Sequence, residues 1–454
     1  MREKRVSQLR LSHTIPQNEI GKELEAISRI IEANPAILDR VLADLIVAKC
    51  STTGRKGMTA EQVLRCALLK QWRVLSYEEL AFHLEDSRAF RAFARLSGGR
   101  TPSTSTLQTN IKSLSEGTWE VINQNIVCYA AREDMEQGRK VRMDSTGVES
   151  NIHYPADSTL LQDAIRVITR WLANGKDLCP VPDYPFSDHS RRVKKRVLQI
   201  QNSRKDKERR KAYQDLLLVA ELVLRYALRA IPVLKAYESE LIEEQWKARM
   251  IGEKLEEAVC LFDRLVDQTE RRVIRGEKVP AAEKLVSFFE SHTDIIEKGD
   301  RETLFGHKLF LAGGGSGLIL DCVIERGNPA DSEMFKPLVE RQKQIFNRAP
   351  RQTSADGGFA SQENLKWAKE KGIKDVSFSK RRGISVLDMV KSNWVYKQLR
   401  NFRAGIEANI SRLKRAFGLS RCTWRGWEGF RRYVWSAVVA YNLSVLARLK
   451  MAQA

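Results

Sequence analysis

Leu399-Arg400-Asn401-Phe402-Arg403-Ala404-Gly405-Ile406-Glu407-Ala408-Asn409-Ile410-Ser411-Arg412-Leu413-Lys414 combines a helical period with an unusual charge pattern. Turned at about 100° per residue, it sets Arg400, Arg403, Glu407, Ser411 and Lys414 in a stripe roughly 80° wide. A second stripe of Leu399, Phe402, Ile406, Ile410, Leu413 and Phe417 lies beside it. One face is therefore expected in a core, and the adjoining face carries one acid among three bases. Arg412 and Arg415 add charge nearby. An amphipathic helix with i,i+4 ion pairs is the ordinary reading. The surplus of cations around Glu407 favours another, in which the carboxylate holds a metal ion and the bases hold phosphate oxygens.

Two more acids stand where such a site would draw ligands. Asp144 closes the short predicted strand Lys140-Val141-Arg142-Met143-Asp144 and precedes Ser145-Thr146-Gly147. Asp356 closes a second strand, residues 352–356, and precedes Gly357-Gly358, which lets the backbone turn away. Strand ends of an open sheet are where ligands bind. Taken singly, each is an ordinary turn aspartate; their value comes from combination with Glu407. Asp157, Asp321 and Asp331 are rivals, and Asp321, inside the predicted strand 318–324, is the foremost.

Outward from these acids the chain divides by character. Residues 1–135 read as successive short helices, with capping boxes at Thr59-Ala60-Glu61-Gln62 and Ser76-Tyr77-Glu78-Glu79. A third helix opens at Asp86-Ser87 and is stopped by Gly98-Gly99; a fourth spans 107–114. Helices joined by tight polar turns suit a helix-turn-helix, and equally a small all-α fold without DNA. Residues 136–187 begin an α/β core, 188–300 form a long helical insertion, and 301–454 complete the core with C-terminal helices. In that last part strands at 308–311 and 318–324 flank a Gly313-Gly314-Gly315-Ser316-Gly317 hairpin turn. A helix at 363–371, a strand at 373–378 and helices at 395–417 and 431–450 follow.

Composition sets the class of partner. Lys and Arg number 77 against 57 Asp and Glu, giving +20, which points to a polyanion, nucleic acid first. A hydrophobic share of 43% argues against wholesale disorder. No apolar run approaches the ~18 residues of a membrane span, and no secretory signal is visible at the start. Seven scattered cysteines without CxxC fit neither a disulfide scaffold nor a zinc knuckle, and suit a reducing cytoplasm.

Asp144 in Met-Asp-Ser-Thr, Asp356 in Ala-Asp-Gly-Gly-Phe and the spacing Arg403-x3-Glu407-x6-Lys414 resemble the DDE transposases of bacterial insertion sequences. The family's signature at the last acid is Tyr-x2-Arg-x3-Glu-x6-Lys, and Arg400 stands here in the tyrosine's place. Gly57 to Leu114, Val148 to Pro155, Gly306-His307-Lys308 and Gly327 to Asp331 are similar to further family blocks; 188–299 matches none. The resemblance implies an RNase H-like α/β fold, a mixed five-stranded sheet flanked by helices. The first acid would sit on the first strand, the second on the fourth, and the third on a later helix. It implies that Asp144, Asp356 and Glu407 hold two Mg2+ ions, with Mn2+ able to substitute. The implied activity is that of a transposase that binds terminal inverted repeats, nicks, and joins the freed 3′-hydroxyl to target DNA. Its partners would be double-stranded DNA, as transposon ends and target, and a second copy in a homodimer on DNA, with no membrane, in the nucleoid of the cytoplasm.

Arg400, Arg403, Arg412, Lys414, Arg415 and Lys380-Arg381-Arg382 are the expected DNA contacts, against a plain reading as solvated or ion-paired surface. The same two readings apply to the basic run 191–211. Trp424 and Trp427 are expected in the core, or stacked on an unpaired base. His153 and His307 lack a spaced partner and read as structural. Two other functions use the same residues: a DNA-binding protein derived from a transposase without catalysis, and a metal-dependent nuclease without a joining step. A helical protein that binds nothing specific is a third.

Overall fold

The computed structural model describes residues 2–6, 13–46, 56–97, 101–179, 184–297 and 303–453. They form two compact units, Met1–Ser150 with Gly306–Ala454, and Asn151–Phe305.

Seven helices open the first unit: α1 (Glu19–Glu32), α2 (Ala36–Ile46), α3 (Ala60–Trp72), α4 (Tyr77–Asp86), α5 (Arg88–Phe93), α6 (Thr104–Lys112) and α7 (Glu116–Arg132). Their starts are fixed locally. Both expected capping boxes are present, Thr59 with Gln62 and Ser76 with Glu79, and Ser87, Ser103 and Ser115 cap the next three helices. Gly98-Gly99, the expected stop of the third helix, lies outside the described residues; α5 already ends at Phe93. Strand β1 (Lys140–Glu149) follows.

The second unit contains α8 (Asp157–Leu178), α9 (Ser190–Asn202), α10 (Asp206–Lys235), α11 (Ile242–Thr269) and the short β2 (Asp294–Ile296). It has its own core, including Leu161, Ile168, Leu216, Val223, Leu255 and Phe262. Because α8 gives its apolar face to that core, the inserted unit begins at Asn151, not at 188 as the sequence suggested. Asp157, a rival acid, is buried and bound by Arg272 Nη1 at 2.8 Å and Gln268 Nε2 at 3.0 Å, a structural task inside this unit. Within the basic run, Arg192 and Arg196 both grip Asp215, whose carboxyl is held down at about 2 by those hydrogen bonds.

The chain then returns to the first unit with β3 (Leu304–Gly313), β4 (Ile319–Ile324), α12 (Asp331–Phe346), β5 (Gln352–Ala355), α13 (Gln362–Glu370) and β6 (Asp375–Phe378). Helices α14 (Val386–Met389), α15 (Asn393–Ala416) and α16 (Trp427–Gln453) complete it. The first unit's sheet is mixed, β3-β1-β5-β6 with β4 also on β3, which makes the expected five strands. Strands β1 and β3 pair antiparallel, whereas β1–β5 and β5–β6 are parallel.

Residues 1–135 do not make a compact unit of their own. Helix α16 is buried nearly all round, from Tyr433 to Ala447, and packs both the N-terminal helices and the sheet. Asn442 shows the join: its Nδ2 donates to Asn123 Oδ1 of α7 and to Ile319 O of β4, each at 2.7 Å. Its Oδ1 accepts from Ile319 N at 2.9 Å. Buried amides must be paired, so this asparagine fixes α16, α7 and β4 together.

Candidate active site

Register brings the first two acids side by side. Met143 and Ala355 are partners in the parallel β1–β5 ladder, so Asp144 and Asp356 are the next residues on neighbouring strands. Asp356 N donates to Met143 O at 3.2 Å. The expected strand end at Asp144 is corrected by the structure: β1 runs on to Glu149 because β3 accompanies it, with Asp144 opposite Leu311. What ends at the acid is the β5 side of the ladder, so Asp356 leaves the sheet there while Asp144 stays buried.

Helix α15 supplies the third acid. Leu399, Ile406 and Leu413 are buried, and Phe402 and Ile410 pack on the same core, as the stripe predicted. The helix approaches β1 closely at Gly405. Arg142 of β1 lies over the Phe402 ring at 5.1 Å, and its Nη1 donates to Phe402 O at 3.2 Å. A Cβ at position 405 would stand 1.9 Å from that Nη1. A glycine inside a helix costs ~0.5–1 kcal/mol against alanine, and here it makes room for the arginine.

All three carboxylates meet on one guanidinium. Arg403 Nη2 lies 3.0 Å from Asp144 Oδ2 and 3.1 Å from Asp356 Oδ1, while Nη1 lies 2.7 Å from Glu407 Oε1. The Arg403 and Asp144 side chains are 15% and 12% exposed, against 59% for Glu407; the cluster thus has a closed floor and an open mouth. Asp144 Oδ1 also accepts from Ser145 N at 2.8 Å. Burial pushes the Asp356 carboxyl up, but the Ser379 hydroxyl at 2.8 Å, the Gly357 and Gly358 amides and Arg403 outweigh it and hold it below the usual range. The set is all oxygen, which suits a hard divalent cation such as magnesium. Among the described residues no three acids, histidines or cysteines stand at metal-binding spacing. At these three acids, Arg403 fills the cationic position between the donors.

A family model described as a transposase DDE domain matches residues 286–443, which include Asp356 and Glu407. A second, described as a transposase domain (DUF772), matches residues 9–113. The chain belongs to the DDE transposase family. Neither a curated protein nor a solved structure matches it. Membership implies a DNA substrate, general use of divalent metal ions, and an RNase H-like core, which the mixed sheet with flanking helices supplies. Among the described residues, no helix of the transposase is long and apolar enough to cross a membrane.

The transposase's other candidate residues separate by position. Arg400 and Arg415 are exposed on α15. Lys414 Nζ donates to Gly147 O of β1 at 2.8 Å, so its ammonium lies over the far end of the strand that carries Asp144. Lys380, Arg381 and Arg382 are exposed on the loop after β6. That loop begins at Ser379, the partner of Asp356, and the Lys380 stem crosses Gly357, where a Cβ would meet it at 2.6 Å. Arg412 departs from expectation. It turns from the acidic stripe to α16, lying over Tyr441 at 5.6 Å and Phe417 at 5.9 Å, with its pKa lowered by burial. Its guanidinium is thus set on α16 and not along the acidic stripe; one residue after Ser411 is about 100° of helix, enough to change neighbours.

The remaining rival acids are occupied. Asp321 is buried and held by Arg341 at 2.5 and 2.7 Å, an ion pair of the core. Asp331 binds Lys308 Nζ at 3.0 Å and accepts from Ser145 Oγ at 3.1 Å. It therefore steadies the residue beside Asp144. Trp424 is 5% exposed and belongs to the core. His307 is buried against the rings of Trp427 and Phe430. Sequence reasoning passed over Arg142 and Ser379. Gly405 inside an otherwise strong helix was the available signal for the first; the second had none.

Proposed function

We propose that this transposase cuts and joins DNA at the cluster of Asp144, Asp356 and Glu407, and that it binds the terminal inverted repeats of its element. The convergence of these three carboxylates on Arg403 carries the reading. Asp144, Asp356 and Glu407 would hold Mg2+, with Mn2+ as a substitute. When bound, a pair of such ions supplies activation of a water or 3′-hydroxyl on one side of the phosphate and stabilisation of the leaving oxygen on the other.

The chain's own groups do the rest. Asp356 stays ionised at neutral pH because Ser379 and two loop amides stabilise its charged form. Arg403 offers a fork of donors matched to phosphate as well as to carboxylate. Lys380, Arg381 and Arg382 line the rim on the Asp356 side, and Arg400 and Lys414 extend the positive strip along α15. A homodimer bringing two ends together in the nucleoid completes the proposal.

The test is a nicking and strand-transfer assay on duplexes bearing the element's ends, titrated with Mg2+. Asp144→Asn, Asp356→Asn and Glu407→Gln should each lose nicking by about 10²-fold or more while end binding persists. Metal-dependent nicking retained in one variant removes that residue from the site. Nicked product without joined product would indicate a nuclease; binding without nicking in the parent chain would indicate a repurposed DNA-binding protein.

A further inference from the structure

A second concave site lies in the first unit, away from the acids. It is a pocket of about 630 Å³ formed by the C-terminal end of α3, the start of α4, α6 and the segment after α15. Lys70, Tyr77, Gln108, Lys112, Trp424 and Arg425 line it. Lys70 is the anomaly. The residue is 6% exposed, with its stem buried, and among the described residues its ammonium makes no ion pair or hydrogen bond, only a cation–π contact with the Tyr77 ring at 4.8 Å. A largely desolvated charge with no carboxylate in direct contact is costly. Two further donors are idle: Tyr77 Oη and Trp424 Nε1 are both buried without a hydrogen-bond partner among the described residues. Two acids, Glu78 and Glu79, also line the pocket; Glu79 is engaged by Ser76 N at 2.7 Å in its capping box.

We infer that this pocket binds a backbone phosphate of DNA flanking the cut site, with Lys70 as the buried cation and Lys112 and Arg425 at its rim. The inference rests on the DNA-acting reading above and deepens it. Continuity along α15 supports the placement. Gln71, which lines the pocket, donates to Phe417 O at the end of α15 at 2.7 Å. Phe417 lies ten residues beyond Glu407, about 15 Å along the helix, which is the rise of about four to five base pairs. A duplex held at the acids would therefore reach the pocket within half a turn.

The experiment uses the full chain and a random-sequence duplex, since a backbone contact ignores sequence. Affinity is measured over a salt series for the parent, Lys70→Met and Lys112→Gln, and melting temperature is measured without DNA. Lys70→Met should bind about tenfold more weakly, with the slope of log K against log salt shallower by about 0.9. It should also melt higher than the parent, because methionine removes the unpaired buried charge; a merely structural lysine would not give both effects. An unchanged slope overturns the pocket while leaving the DNA reading intact, whereas a parent chain that binds no duplex overturns the DNA reading itself. Inorganic phosphate is added alone at constant ionic strength. If it raises the melting temperature of the parent but not of Lys70→Met while the duplex slopes agree, the occupant is free phosphate and not the backbone. If Lys70→Met does not fold, a slope unchanged in Lys112→Gln overturns the assignment and a shallower one upholds it.

Discussion

Arg403 reaches Asp144 at 3.0 Å across 259 residues of chain, and the same guanidinium touches Asp356 and Glu407. Three carboxylates this close repel one another unless a cation stands among them. Arg403→Ala should therefore destabilise the fold by on the order of 1–3 kcal/mol. Added Mg2+ should raise its melting temperature more than the parent's, and calorimetry with and without the ion reads this directly. Equal responses would mean that the three acids do not share a cation.

Gly405→Ala sets two effects against each other. Helix propensity favours alanine by ~0.5–1 kcal/mol. The new Cβ would meet Arg142 Nη1 at 1.9 Å, and shifting that guanidinium breaks its bond to Phe402 O and its seat on the Phe402 ring. Overpacking costs ~1–3 kcal/mol, so the variant should melt lower. A variant that melts higher would show that Arg142 moves aside freely.

Asp356 titrates below its ordinary value in the folded chain. A depressed carboxyl stabilises the fold above its unfolded pKa of ~3.9, and that contribution is lost as pH falls through the folded value. Ser379→Ala removes the strongest hydrogen bond to the charged form. It should move the acid limb of nicking and of stability to higher pH, as parallel pH profiles would record.

Asp321 lies 1% exposed against Arg341, and burial raises its carboxyl despite that partner. Arg341→Leu strands the charge, at a cost of ~3–5 kcal/mol near neutrality. The loss should shrink on acidification, since a protonated Asp321 needs no counter-ion. Urea denaturation at two pH values tests the sign.

Burial, with Lys112 nearby, pushes Lys70 down to about 8, while Cys422, Glu78 and Glu79 act in the opposite sense. The unfolded chain therefore holds a proton that the folded chain lacks between about 8 and the ordinary 10.5. The contribution of Lys70 to stability should rise with pH across that window. Duplex affinity should fall over the lower part of it as the ammonium is lost, and Lys70→Met should abolish both trends.

Much of this was readable from sequence. The two stripes of α15, the capping boxes of α3 and α4 and the hairpin between β3 and β4 are local features, written in spacing and side-chain chemistry. The acids stood out because Gly357-Gly358 and the bases around Glu407 mark them. Arg412 was grouped with the basic strip by nearness in sequence; helical period reports an angle about the axis and not which neighbour lies at that angle, and α16 decided that neighbour. The insertion's start at Asn151 escaped for a similar reason, since α8 is amphipathic whichever core receives it.

Periodicity, caps and charge spacing thus determined most of the elements of this chain, because those depend on residues within a turn or two of one another. The three acids were singled out only in combination and by the family resemblance. Only the tertiary structure decided that β1 and β5 run parallel in a register that sets Asp144 beside Asp356, and that one arginine serves all three carboxylates. It also decided that α3, α4 and α6 close a lysine-floored pocket with the segment after α15. These are contacts between segments tens to hundreds of residues apart, selected by the packing of the whole core, and no local rule contains them.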